Sequence, residues 1–251
     1  MNDWIESYFF FPDTHTDLYP TFTNFENIYV RNKHKYESYH GWYIPNETPQ
    51  YNQKIIFYSH GNAGNISHRI PIIKNFFNQG FSIFIYDYPG FGKSEGYPSQ
   101  SNCIDCASRF IRFLQKKRNI KTEQMVLFGE SIGGFVSSFL ANKFYIKHLI
   151  LQSTFTDIKD IISLRFSFIP KYLIQFIDFN NIHLLELRKN NPSQFKTMII
   201  HSQEDEIIPY QHAIHLSTFS DLFYTCQGKH SSFMMNQEYF DKIHFFLNIQ
   251  P

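Results

Sequence analysis

At 251 residues, with 43% hydrophobic and 19% aromatic side chains, the chain is long enough to bury one large core and short enough to be a single domain. A net charge of +1 leaves no electrostatic case for a nucleic-acid partner. No run of about 18 uncharged apolar residues is present to cross a membrane, and Met1-Asn2-Asp3-Trp4-Ile5-Glu6 lacks the basic region and apolar core of a secretory signal.

In chain order, Asn24–Asn32 and Tyr36–Pro45 read as an antiparallel entry hairpin. Strands are predicted near 54–59, 81–86, 125–130, 147–152, 196–201 and 221–226. Helices are predicted near 66–79, 99–118, 132–143, 209–219 and 233–248. This alternation implies a mainly parallel sheet covered by helices on both faces. In the helix at 99–118, Cys103 and Cys106 have Cys-x-x-Cys spacing but share the pattern of Ala107, Phe110, Ile111 and Leu114. They read as packing residues, since no second cysteine pair completes a zinc site. Lys116-Lys117-Arg118 closes that helix and complements its dipole. Three cysteines cannot all pair within one chain, which favours a reducing compartment, so a cytoplasmic location is expected. In the last helix Tyr239, Phe240, Ile243, Phe246 and Leu247 form one apolar stripe. With no repeat and no long linker, residues 1–251 are expected to form one domain.

One stretch, about 156–190, breaks the rhythm. It holds Ile161, Ile162, Leu164, Phe166, Tyr172 and Phe176 around Pro170 and reads as a small helical cap inserted between two strands. Its aromatics are expected either to line an acyl pocket or to pack the cap onto the body.

Gly129-Glu130-Ser131-Ile132-Gly133-Gly134 stands between the strand Met125–Phe128 and a helix bearing Phe135, Val136, Phe139 and Leu140. Gly-x-Ser-x-Gly in that setting is a nucleophile elbow, a strained turn that lifts a serine hydroxyl above the sheet. Glycine at 129 and 133 lets neighbouring backbone approach where a side chain would push it away. A serine hydroxyl needs a general base, and the base needs a carboxylate to orient it. In this arrangement the order along the chain is serine, acid, histidine. The acid is expected after the strand at 196–201, in Glu204-Asp205-Glu206, with Asp205 preferred over Glu204 and Glu206. A cap for the following helix is the bland alternative for Asp205. His230 follows the last strand on a loop that Gly228 lets turn, and is the expected base. Of the other histidines, His201 is expected to pack inside its strand, and His212 and His215 to face solvent. The tetrahedral intermediate needs fixed amide donors. One is expected from Ile132 and the other from Asn62, with Ala63 as its neighbour, in the loop His60-Gly61-Asn62-Ala63-Gly64-Asn65. His60 itself is read as a structural anchor of that loop. No Gly-Lys-Ser/Thr follows to make the loop a phosphate cradle.

Taken together, these blocks resemble the α/β-hydrolases, in particular the small-cap serine hydrolases that include protein depalmitoylases and related bacterial enzymes. The resemblance also runs through Asp87-Tyr88-Pro89-Gly90-Phe91-Gly92-Lys93-Ser94, Gln152-Ser153-Thr154-Phe155-Thr156 and Glu204-Asp205-Glu206-Ile207-Ile208-Pro209. Two departures stand out. Relatives often carry an N-terminal transmembrane helix, and the residue after His230 is Ser231 where relatives often have Asn or Asp. The resemblance implies an α/β fold with a mostly parallel central sheet and a small cap. It implies a serine hydrolase of carboxylic esters or thioesters working through Ser131, Asp205 and His230. No metal or organic cofactor is implied, and the partner is a small ester or acylated molecule. Ala63, Phe155, Phe166 and Tyr172 are the expected substrate contacts. The rival readings are a peptidase or amidase using the same triad, and a non-catalytic scaffold. A third rival is peripheral membrane contact through Trp4, Ile5, Tyr8, Phe9, Phe10 and Phe11. Oligomeric state is left open.

Overall fold

The computed structural model describes residues 10–16, 18–47, 54–165, 177–190 and 195–249. Its main sheet has eight strands: β1 Glu26–Asn32, β2 Glu37–Ile44, β3 Ile55–Ser59, β4 Ser82–Tyr86, β5 Met125–Glu130, β6 His148–Gln152, β7 Lys196–Ser202 and β8 Leu222–Cys226. Their spatial order is β1-β2-β4-β3-β5-β6-β7-β8. The hairpin β1–β2 and its junction with β4 are antiparallel, and every pairing from β4 to β8 is parallel. Parallel strands covered on both faces have no solvent side, so the central ones carry continuous apolar runs. All residues of β3, β5 and β6 are buried. Alternate residues feed opposite cores, Ile55 and Phe57 to one and Ile56 and Tyr58 to the other.

Among the described residues the helices are α1 Ile70–Asn78, α2 Gln100–Lys117, α3 Ile132–Lys143, α4 Ile158–Arg165, α5 Asn181–Lys189, α6 Tyr210–Ser217 and α7 Gln237–Leu247. Phe110 of α2, Leu140 of α3, Leu185 of α5 and Leu216 of α6 share one core. Phe76 of α1 shares the other with Tyr239, Phe240 and Ile243 of α7. The stripe expected on the last helix is buried as predicted.

Three local expectations are corrected. The helix expected over 66–79 is divided, because Asn65 caps a 3-10 turn Ile66–Arg69 and Pro71 opens α1 immediately after it. The last helix begins at Gln237 rather than 233. A two-residue hairpin, Gly228–Lys229 with Ser232–Phe233, precedes it and turns around His230. The expected cap over 156–190 is narrower, since α5 belongs to the body. There the buried Arg188 donates to Thr197 Oγ1 at 3.2 Å, Ile146 O at 3.3 Å and Lys147 O at 2.8 Å. Residues 166–176 of the insertion, with Phe166 and Tyr172, lie outside the described residues.

Candidate active site

The site is assembled at the C-terminal ends of the parallel strands, where open α/β sheets bind ligands. Ser131 follows β5 directly and has φ 55°, ψ −121°, a conformation that strains any residue but glycine. Close packing enforces it. A Cβ on Gly129 would lie 2.5 Å from Gly133 O, and one on Gly133 would lie 2.0 Å from Ser59 O. The turn is also tied to β6, for Ser131 N donates to Gln152 O at 2.9 Å and Thr154 Oγ1 donates to Ser131 O at 2.7 Å.

Loops after β7 and β8 bring the other two groups to this serine. His230 Nε2 lies 3.1 Å from Ser131 Oγ. On the far side of the ring, His230 Nδ1 lies 2.8 Å from Asp205 Oδ2 and 3.0 Å from Oδ1. An ionised carboxylate only accepts, so Nδ1 carries the proton and Nε2 presents its lone pair to the serine hydroxyl. Asp205 does serve as a local cap too, because its Oδ1 accepts from Ile207 N at 2.9 Å and Ile208 N at 2.8 Å. Burial opposes the charge on Asp205, but the His230 hydrogen bond and the Ile208 amide outweigh it and hold the carboxyl below its ordinary range. His201 sits behind the acid, with Nε2 3.0 Å from Ile208 O and 3.4 Å from Asp205 Oδ2. Glu206, ranked last of the three acids, holds the histidine loop instead, with its Oε2 accepting from His230 N at 3.1 Å.

The loop expected to supply the second amide donor is braced on its carbonyls. Tyr88 OH donates to His60 O at 2.8 Å, and His60 Nδ1 donates to Gly61 O at 2.7 Å. Because a trans peptide points its N–H opposite its C=O, the Gly61 contact sets the direction of the Asn62 amide. Ile132 opens α3, and the first amides of a helix have no partner within it. Asn62, Ala63, Ser131, Ile132 and His230 all border one cavity of about 360 Å³. Its apolar wall comes from Phe155, from Ile158, Ile161 and Ile162 of α4, and from Ile177 and Phe179.

His60 is fully buried, and burial followed by the nearby Arg69 charge lowers its pKa to about 4. His148, at the start of β6, is lowered to about 4 by burial and then by Lys54 and Lys147. Both histidines are neutral when folded but titrate near 6.5 when unfolded. Between pH 6.5 and 4 the unfolded chain therefore binds more protons, and folding stability falls as the pH falls through that window. Each is expected to contribute a loss on the order of 3 kcal/mol across the window. Urea unfolding at neutral and mildly acidic pH checks this, and a flat profile contradicts it.

Of the expected site residues, the structure brings together Ser131, Ile132, Asp205, His230, Asn62, Ala63 and Phe155. His212 is corrected: it is half-buried, with Nδ1 2.7 Å from Thr156 Oγ1, while His215 is exposed as expected. Cys103 and Cys106 are buried in α2, and burial pushes the Cys106 thiol well up, away from its reactive thiolate form. Phe10 is buried, with its ring centroid 6.3 Å from Phe91 and 6.2 Å from Phe179, whereas Phe11 is 57% exposed at the cavity rim. Trp4, Ile5, Tyr8 and Phe9 lie outside the described residues. Sequence pattern alone gave no sign of the ion pair between Arg69 and Glu130. Glu130 is the second residue of the Gly-x-Ser-x-Gly motif itself, so its place beside Ser131 was legible, but its partner was not.

Ser131 on its elbow, with the Asp205 and His230 loops beside it at the C-terminal end of a mostly parallel eight-stranded sheet, is the architecture of the α/β-hydrolase fold. Comparison with known proteins agrees. Residues 54–176 match the family model for the α/β hydrolase fold. Protein YfhR of Escherichia coli K12 is 32% identical over 182 residues, covering 69% of this chain and 61% of its own length. The membrane protein YNL320W of Saccharomyces cerevisiae is 31% identical over 194 residues, covering 74% of this chain and 68% of its own. Among solved structures, the Pyrococcus furiosus esterase Pf2001 superposes with a TM-score of 0.73 at 15% identity, covering 95% of this chain and 96% of that one. The chain belongs to the α/β-hydrolase superfamily. It spans 61% of the length of YfhR. Among the described residues, no helix is long and apolar enough to cross a membrane.

Proposed function

We propose that the protein is a serine hydrolase that cleaves carboxylic esters or thioesters of small acylated molecules through an acyl-enzyme. The observation that carries this reading is His230 bridging Ser131 at 3.1 Å and Asp205 at 2.8 Å at the edge of an apolar cavity. Ser131 Oγ attacks the carbonyl carbon while His230 Nε2 takes its proton. Asp205 holds the imidazole in the Nδ1–H tautomer and stabilises the imidazolium that forms. The amides of Ile132 and Asn62 receive the oxyanion. His230 then protonates the leaving alcohol or thiol, and a water repeats the sequence to release the acid and free Ser131.

The cavity of about 360 Å³ lies near the small end of ligand pockets, which span roughly 300–1,000 Å³. Its isoleucine and phenylalanine wall suits an aliphatic acyl group of short to medium length. Initial rates on p-nitrophenyl esters from acetate to palmitate are therefore expected to peak at medium chains and to depend on Ser131. A fluorophosphonate probe is expected to label Ser131. Labelling without turnover of any ester would move the reading to amide substrates. Neither labelling nor turnover in folded protein would leave a non-catalytic scaffold. A reducing, cytoplasmic setting suits the three buried cysteines Cys103, Cys106 and Cys226.

A further inference from the structure

Arg69 and Glu130 line the same cavity, and the reaction just described assigns neither of them a part. Glu130 ends β5 and is bonded covalently to Ser131, two residues before Ile132. Its side chain is 5% exposed, Tyr58 OH donates to its Oε2, and Arg69 Nε lies 3.3 Å from the same oxygen. Arg69 ends the 3-10 turn that follows the oxyanion loop, and its Nη2 donates to Ala63 O at 2.9 Å, next to Asn62. The loop backbone rests on the carboxylate: a Cβ on Gly61 would come within 3.1 Å of Glu130 Oε1.

We propose that Arg69 is a positioning residue, and that its pairing with Glu130 clamps together the two halves of the oxyanion hole. The inference rests on the reading of Ser131 as the nucleophile. The two amides assigned to the oxyanion come from different loops, one after β3 and one after β5. Arg69 closes the gap by touching Glu130 on one side and Ala63 on the other. A guanidinium is a rigid planar fork, so it fixes the Ala63 carbonyl it hydrogen-bonds relative to the Glu130 carboxylate it pairs with by charge, which a flexible ammonium cannot do. It also has an electrostatic duty. An unpaired carboxylate one residue from the nucleophile would repel the negative charge that develops in the transition state, and Arg69 offsets it where water is scarce.

The test compares the intact protein with Arg69→Ala, Arg69→Lys and Glu130→Gln, reading kcat and KM on the preferred p-nitrophenyl ester with Ser131→Ala as the blank. A trifluoromethyl ketone measures affinity for the oxyanion geometry. For Arg69→Ala, kcat is expected to fall by about 10–100-fold with KM nearly unchanged, the scale set by a misaligned or lost oxyanion donor. Ketone affinity should fall in step, and added guanidinium at non-denaturing concentration should restore part of the loss. Arg69→Lys should recover less than guanidinium does. Unchanged kcat in Arg69→Ala, or a loss that guanidinium does not relieve and ketone binding does not follow, overturns the clamp. If Arg69→Ala does not fold, Arg69→Lys and Glu130→Gln carry the decision: a kcat loss at constant KM supports it and unchanged kcat overturns it. An intact protein without Ser131-dependent turnover ends the ester-cleaving reading and the clamp with it. Failure of the clamp alone leaves that turnover in place.

Discussion

Replacing Ser131 with alanine is expected to lower kcat on p-nitrophenyl esters by about 10⁵–10⁶-fold without unfolding the protein, since the members of the proposed triad act as a unit. The side chain has little structural duty. Its hydroxyl meets His230 Nε2 at 3.1 Å, while the elbow is held by backbone contacts to Gln152 and Thr154. Alanine inherits the strain of φ 55° unchanged, so the melting temperature should stay close to that of the intact protein. Glycine sharpens the prediction, because it adopts positive φ at no steric cost. Ser131→Gly is expected to be as inactive as Ser131→Ala yet more stable by about 1 kcal/mol, the order of strain stored at such a position. Kinetics, fluorophosphonate labelling and thermal unfolding of both variants check it. Turnover retained by clean Ser131→Ala would show that another group performs the attack.

The parts of this architecture that could be read in the sequence are those whose physics is local. Met125–Phe128 is a continuous apolar run because β5 is buried on both faces, and it leads into glycines that the packing of β3 against α3 requires. Asp205 and His230 were legible because each follows a strand in the order the elbow demands. What escaped depends on partners distant in sequence. Arg188 looks like an ordinary cation in the last turn of α5, yet it is buried because β7 and the approach to β6 supply enough acceptors. His212 has the helical phase of a boundary residue, and only Thr156, arriving from another loop, turns it inward. The cavity wall joins Phe10, Phe155, α4 and Phe179, segments that no periodicity connects. The 3-10 turn before α1 was hidden because Ile66, Ile70, Ile73 and Phe77 keep a helical spacing across the break that Pro71 imposes.

Asp205→Asn is expected to cost about 10³–10⁴-fold in kcat while changing the shape of the site very little. The reason is which atoms the new amide must satisfy. Ile207 N and Ile208 N both donate to Asp205 Oδ1, so an asparagine must place its carbonyl oxygen there. Its NH₂ then occupies the position of Oδ2, 2.8 Å from His230 Nδ1. Facing a donor, Nδ1 must become the acceptor, and the ring proton moves to Nε2. That nitrogen now donates toward Ser131 Oγ and cannot take its proton, and the charge that stabilised the imidazolium is gone as well. The loss should appear in kcat, with fluorophosphonate labelling slowed in parallel and substrate affinity nearly unchanged. A variant within about tenfold of the intact enzyme would mean that Asp205 is only a cap for the turn into α6, and that the base is oriented by another group. Glu206→Gln then becomes the next substitution to measure, because Glu206 is the other carboxylate that bonds His230.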